Sequence, residues 1–185
     1  CMVDERGYSR SNGVSTQILQ QQASALNLPL VLKESSWNNY ESNLVEALTE
    51  IKHAYNVTQC VFGDIDVVVH RQFEESVCQQ SGLSAYLPLW GKSRLDVKNE
   101  IIRLKIKSKL SVVSKKYAID ELLGAEYSKL DFACLEQLGV DICGENGEFH
   151  TLVYDAPLFK QMLNIEAGEV YDLEHVLLCD FKIKT

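Results

Sequence analysis

The strongest signal of chemistry in this sequence is the run Cys143-Gly144-Glu145-Asn146-Gly147-Glu148-Phe149-His150-Thr151. Two glycines and two carboxylates within five residues make a poor helix and a poor strand. A merely structural turn would need one glycine and no paired acids. Glu145 and Glu148 have the chemistry to hold Mg²⁺, to orient an amine, or to accept protons. Their spacing does not choose among those roles.

A second group follows the strand-like Cys60-Val61-Phe62. Gly63 lets the backbone turn sharply or come close to a ligand. Asp66 reads as the cap of the next helix, and Asp64, without such a duty, is open to Mg²⁺ or a hydroxyl. His70 and Glu74 stand four apart, as do Arg71 and Glu75, so each pair shares a helix face and reads as a surface ion pair. A third group, Pro88-Leu89-Trp90-Gly91-Lys92-Ser93-Arg94, follows Ala85-Tyr86-Leu87. Pro88 stiffens the turn and Trp90 offers a flat apolar plate. Lys92 and Arg94 add positive charge near a helix start, where free N–H groups already favour anions. A plate with cations suits a nucleotide or a phosphorylated ligand, and a packing anchor accounts for Trp90 equally well.

The elements that must position these groups follow from hydrophobic spacing. Ile18, Leu19, Ala23 and Leu26 predict a helix over Ser15 to Asn27, and Leu28 to Leu32 reads as a buried strand. Asn38 and Glu41 resemble a capping pair ahead of the helical stripe Leu44, Leu48, Ile51 and Tyr55. Gln59 to Gly63 is a strand; a helix carrying Val69, Phe73 and Val77 comes next, then a strand over Ser84 to Leu89 and a helix over Arg94 to Leu104. Ser108 to Val113 closes the series as a β-rich run. Strand and helix alternate across short connections, which predicts an α/β fold with a parallel sheet covered by helices on both faces. Ligands of such sheets sit beyond the carboxyl ends of the strands, where the second and third groups lie. After Lys116 the rhythm changes. Short helical stretches at Ile119 to Leu123 and Tyr127 to Leu138 precede strand-like runs at Phe149 to Tyr154, Glu169 to Leu173 and His175 to Ile183. The expected division is a nucleotide-binding α/β domain over 1–116 and a smaller α+β subdomain over 117–185.

The 185 residues suffice for one substantial domain, and 46% apolar with 24% charged residues excludes disorder as the main state. No apolar run approaches the roughly 18 residues of a membrane helix, and no basic-then-apolar leader is visible. A net charge of −8 disfavours nucleic acid and anionic membranes as partners. Against that average, nine of the 18 basic residues fall between Lys92 and Lys116. They read as a solvated helix face plus a Lys-protected edge strand, or as an anion-facing surface. The six cysteines form no C-x-x-C pair and no zinc spacing, which points to free thiols in a reducing, cytoplasmic compartment.

The segments Gly63-Asp64-Ile65, His70-Arg71, Glu75-x-x-Cys78, Leu87-Pro88-Leu89-Trp90, Gly139-Val140-Asp141-Ile142 running into the Cys143 to Thr151 loop, and Asp155-Ala156-Pro157-Leu158-Phe159 occur in an order that resembles the diphthine–ammonia ligase family. Its bacterial members are described as ATP-binding proteins of the N-type ATP pyrophosphatase, or adenine nucleotide alpha-hydrolase-like, group. The resemblance implies a HUP-like nucleotide-binding layer and an ATP-dependent C–N ligase. In that chemistry a carboxylate attacks the α-phosphate, pyrophosphate leaves, and ammonia displaces AMP from the acyl-adenylate. The implied cofactors are ATP and Mg²⁺, and the partners are ammonia and a carboxylate acceptor, protein or small molecule; a homodimer is left open. In eukaryotic and archaeal members the acceptor is diphthine on elongation factor 2. Carried onto this sequence, Gly63, Asp64 and Asp66 are nucleotide-binding. His70, Arg71, Trp90, Lys92, Arg94, Gly144, Asn146 and Gly147 are substrate-binding, and Glu145, Glu148 and His150 are catalytic.

The Ser-Gly-Gly-Lys-Asp-Ser pyrophosphate loop with which the family opens does not occur in these residues, and Cys1-Met2-Val3 reads as the interior of a strand. The expectation is therefore a piece of a longer protein, with weak ATP binding and little catalysis of its own. The alternatives are a nucleotide-binding or regulatory module without turnover, or the same chemistry on a small metabolite.

Overall fold

The left-handed backbone positions that end the first three helices come from residues that tolerate them. In the computed structural model, which describes residues 1–10 and 12–184, α1 (Thr16–Leu26) stops at Asn27 with φ 56°, α2 (Tyr40–Tyr55) at Asn56 with φ 53°, and α3 (Val68–Ser81) at Gly82 with φ 69°. The start of α2 is set differently from the Asn38–Glu41 expectation. Ser36 and Asn39 form the capping box, across a short 3₁₀ turn at Trp37–Asn39. Asp66 does not cap α3 either: Val67 stands at that position without a side-chain bond.

The parallel layer is made of two short pairs. β1 (Met2–Val3) runs parallel to β2 (Lys33–Glu34), and β3 (Gln59–Val61) runs parallel to β4 (Ser84–Tyr86). Among the described residues no ladder joins one pair to the other. The strand expected over Leu28 to Leu32 is absent. Pro29 removes a ladder donor there, and Leu28 is exposed. Over β3 and β4, α2 and α3 bury Leu48, Val77, Cys78 and Leu83 together with Phe62 and Phe73.

α4 (Arg94–Arg103) begins at Ser93, whose Oγ accepts the Asp96 N–H at 3.1 Å. Lys105 then adopts φ 56° and turns the chain into β5 (Lys107–Ser114). This strand does not extend the parallel series. It pairs antiparallel with β6 (Phe149–Asp155) and with β8 (Val176–Ile183), and β7 (Ile165–Asp172) completes a four-stranded sheet of order β6-β5-β8-β7. The lysines of β5 therefore guard no edge. They are neutralised singly, Lys107 by Asp155 and Lys109 by Glu126, as is Lys115 just beyond the strand by Asp172. One face of the sheet packs Leu110, Val113 and Phe149 on Tyr127 and on α5 (Phe132–Gln137) through Leu135. The other face receives α1, whose Ile18 and Ala25 meet Leu152, Cys179 and Phe181. Among the described residues no helix is long and apolar enough to cross a membrane.

Candidate functional site

Because β3 and β4 are parallel and in register, the Gly63 loop and the Trp90 turn leave from the same end of the layer. They are stitched together there. The Gly91 N–H donates to the Ile65 carbonyl at 2.8 Å, with Gly91 at φ 76°, and Ile65 is buried to 1% exposure beneath them.

The third loop folds around one of its own carboxylates. Glu148 is 1% exposed, and its two oxygens accept the Asp141 N–H at 3.1 Å, the Asn146 N–H at 3.0 Å and the Asn146 side-chain amide at 3.3 Å. Gly144, at φ 73°, crosses so close to β6 that a Cβ would stand 2.8 Å from the Phe149 carbonyl oxygen. This shape sends Glu145 outward. Its Oε2 accepts the Ile65 N–H at 3.1 Å, so the loop of the C-terminal half touches the loop after β3. The paired acids thus have separate duties: Glu148 shapes the loop and Glu145 reaches across from it.

Arg94 fastens the same junction. Its guanidinium forks onto Asp66 at 2.8 and 2.9 Å, and its Nε donates to Asp141 at 2.7 Å. The hydrogen bonds it donates to Asp66 and to Asp141 hold it firmly charged. Arg94 is therefore a tie between loops. Trp90 is faced by Arg71, whose guanidinium carbon lies 4.9 Å from the ring centroid while its Nε bonds Glu75 at 2.7 Å. Lys92 lines a separate groove along α4 with Asp96, Glu100 and Arg103. Asn146 and Gly147 lie exposed on the loop.

The junction encloses a cleft of about 270 Å³ lined by Asp64, His70, Gly63, Gly144, Glu145 and His150, among others. Glu145 also borders a neighbouring apolar pocket of about 260 Å³, formed with Ile65, Leu89, Val97, Tyr127 and Phe149. The cleft wall is acidic. Asp64 receives His70 Nδ1 at 2.8 Å. Burial first, and Asp64 after it, push the Glu145 carboxyl up, with the Ile65 N–H pulling the other way. Burial pushes His150 down, which keeps its imidazole neutral near pH 7. Among the described residues no three metal-ligating side chains converge.

The spacing from His70 read Glu74 as half of a surface ion pair, and the structure corrects that: His70 bonds Asp64 instead. Glu74 is buried to 7% exposure and pushed up to about 8, by burial first and then by the nearby carboxylates, Asp64 foremost. The signal lay in the interval 74, 77, 78, 81, the stripe that α3 buries.

Residues 1–85 match the family model described as the diphthamide synthase N-terminal domain, and residues 93–184 match that of the diphthamide synthase C-terminal domain. The diphthine–ammonia ligase of Bos taurus is 30% identical over 135 residues, covering 69% of this chain and 49% of that protein. The human protein of the same name is 29% identical over 132 residues with the same coverage. The Schizosaccharomyces pombe protein of that name is 24% identical over 198 residues, taking in 98% of this chain and 33% of its own length. The chain spans about half the length of the mammalian relatives it matches.

Proposed function

The chain belongs to the diphthamide synthase family, and from that premise we propose that it works in an ATP-dependent amide ligation of the diphthine–ammonia ligase kind. A carboxylate attacks the α-phosphate of ATP, pyrophosphate leaves, and ammonia displaces AMP from the acyl-adenylate. The observation that supports this reading best is the meeting of three loops at the carboxyl ends of β3 and β4, closed by Glu145 on the Ile65 N–H.

In this reading the parallel pairs belong to a HUP-like nucleotide layer. Gly63 has open space where a Cβ would stand, so a nucleotide can approach the backbone there. The cleft between Asp64, Glu145 and His150 takes the ammonia side. Carboxylates attract an ammonium ion, and a neutral His150 and the raised Glu145 carboxyl are suited to accept its proton before attack. Glu148 and Arg94 act by holding the loops in place. Mg²⁺ would enter with the phosphates of ATP, since Asp64 is already engaged by His70 and Glu145 by the Ile65 N–H. When present it would neutralise phosphate charge.

The test is the product. The intact protein, given ATP, ammonium and candidate carboxylates (diphthine-bearing elongation factor 2 and small acids), should release AMP and pyrophosphate. ADP in place of AMP rejects the reading; ATP binding without either product favours a nucleotide-binding module. Glu145→Gln should lower turnover about a hundredfold or more, as loss of a proton acceptor does.

A further inference from the structure

Glu74 is a buried carboxyl beside the cleft that the proposed chemistry leaves without a role. It lies on the stripe of α3 that also buries Val77, Cys78 and Ser81. Its Oε2 is shut off from water with no hydrogen-bond partner among the described residues. An ionised carboxylate left in that state is costly. The neighbouring side chain that acts most strongly on Glu74 is that of Asp64. Two carboxylates are both acceptors, so a hydrogen bond between them requires a proton on one of them. Asp64 has His70 Nδ1 at 2.8 Å on its other side and lines the cleft. Glu74 has no such partner and is 7% exposed, so the proton belongs on Glu74.

The remaining groups around Glu74 reinforce that assignment. Glu145 faces it from the loop before β6, and Glu75 is its neighbour on α3. Cys60 on β3 packs against the cluster that holds Cys78 of α3, and the Glu74 carboxyl acts on both thiols. His70, one turn back on α3, is engaged by Asp64. The charges that act most strongly on Glu74 are all carboxylates, and each opposes a second negative charge there.

We propose that Glu74 is a positioning residue of the cleft: it keeps a proton, donates it in a hydrogen bond to Asp64, and so fixes Asp64 as the single acceptor facing the ligand. The side chains His70, Asp64 and Glu74 then form one hydrogen-bonded row ending in the buried carboxylic acid. The cleft meets its ligand with one negative charge from the pair; losing the Glu74 proton adds a second and breaks the bond that aims Asp64. The function of Asp64 toward an amine rests on the ligase reading. The shared proton does not.

The first measurement needs no variant. A ¹³C NMR titration of the intact protein should show the Glu74 carboxyl with its midpoint above pH 7, whereas a midpoint between 4 and 5, the usual range for glutamate, overturns the proposal. In Asp64→Asn that midpoint should fall by about one pH unit, because one opposing charge is gone; an unmoved midpoint also overturns it. Thermal melting supplies the second readout. The folded protein binds this proton more tightly than the unfolded chain, so the melting temperature should fall as pH rises from about 5 to about 9. Glu74→Gln, which offers Asp64 an N–H in place of the proton, should lose that slope, and a slope that survives the substitution counts against the proposal. Absence of ligase turnover would reject the proposed reaction while leaving both measurements decisive for Glu74.

Discussion

Glu145 and Glu148 stand three residues apart and answer opposite demands. Glu148 is 1% exposed and satisfied by three N–H donors, so its charge is part of the loop's fold. Glutamine there would turn an amide against backbone donors that need an acceptor. Glu148→Gln should cost about 2–4 kcal/mol in urea unfolding, the range for breaking hydrogen bonds to a buried charge. Glu145→Gln keeps a carbonyl for the Ile65 N–H and should change stability by no more than about 0.5 kcal/mol. Equal losses in the two variants would dismiss this division of labour. The sequence showed two acids interleaved with two glycines, and the structure brings that loop against the one after β3. Which acid turns inward depends on where the N–H groups of Asp141 and Asn146 point, and that is fixed only when the loop closes on β6.

At the scale of elements, the start of α4 carries the device that aligns the loops. Arg94 spans Asp66, in the loop after β3, and Asp141, in the loop before β6. The Asp141 side chain is 10% exposed and that of Asp66 is 58% exposed, so the two arms are unequal. Asp141→Asn should cost about 1–3 kcal/mol and speed amide exchange at Cys143, whose N–H also bonds Asp141 at 2.8 Å. Asp66→Asn should leave the melting temperature within error, and a drop matching that of Asp141→Asn would contradict the ranking. Helix positions were readable because periodicity is local: α1, α2, α3 and α4 lie where spacing puts them. The role of Asp66 was not, since an acid two residues ahead of a helix looks like a cap until an arginine 28 residues away claims it. β5 shows the same limit. Its Leu110-Ser111-Val112-Val113 core reads equally well as the last parallel strand or as the centre of an antiparallel sheet, and the left-handed turn at Lys105 decides.

Over the whole molecule, the first helix and the last strands share a core. Ile18 of α1 is 1% exposed against Leu152, Cys179 and Phe181, and the α1 side chain of Gln22 donates to the Val153 carbonyl at 2.7 Å. The division of the sequence by rhythm, alternating before Lys116 and β-rich after it, describes the order of elements and says nothing of this packing. Contacts across more than a hundred residues leave no periodic trace. Their energetic consequence is that the halves should not unfold separately, because opening the C-terminal sheet exposes α1 and releasing α1 uncovers the sheet. Ile18→Ala should cost about 2–5 kcal/mol through lost burial and the cavity left behind. Two probes test whether that loss is shared. Trp90 fluorescence follows the turn after β4, and amide exchange at Val113 and Phe181 follows the antiparallel sheet. Both should report the same lowered midpoint in urea, with the slope of the transition unchanged. A variant in which Val113 and Phe181 lose protection while the Trp90 transition stays where it was would mean that α1 stabilises the sheet alone, and that the three-loop junction is held by Arg94 and Glu145 without help from the shared core.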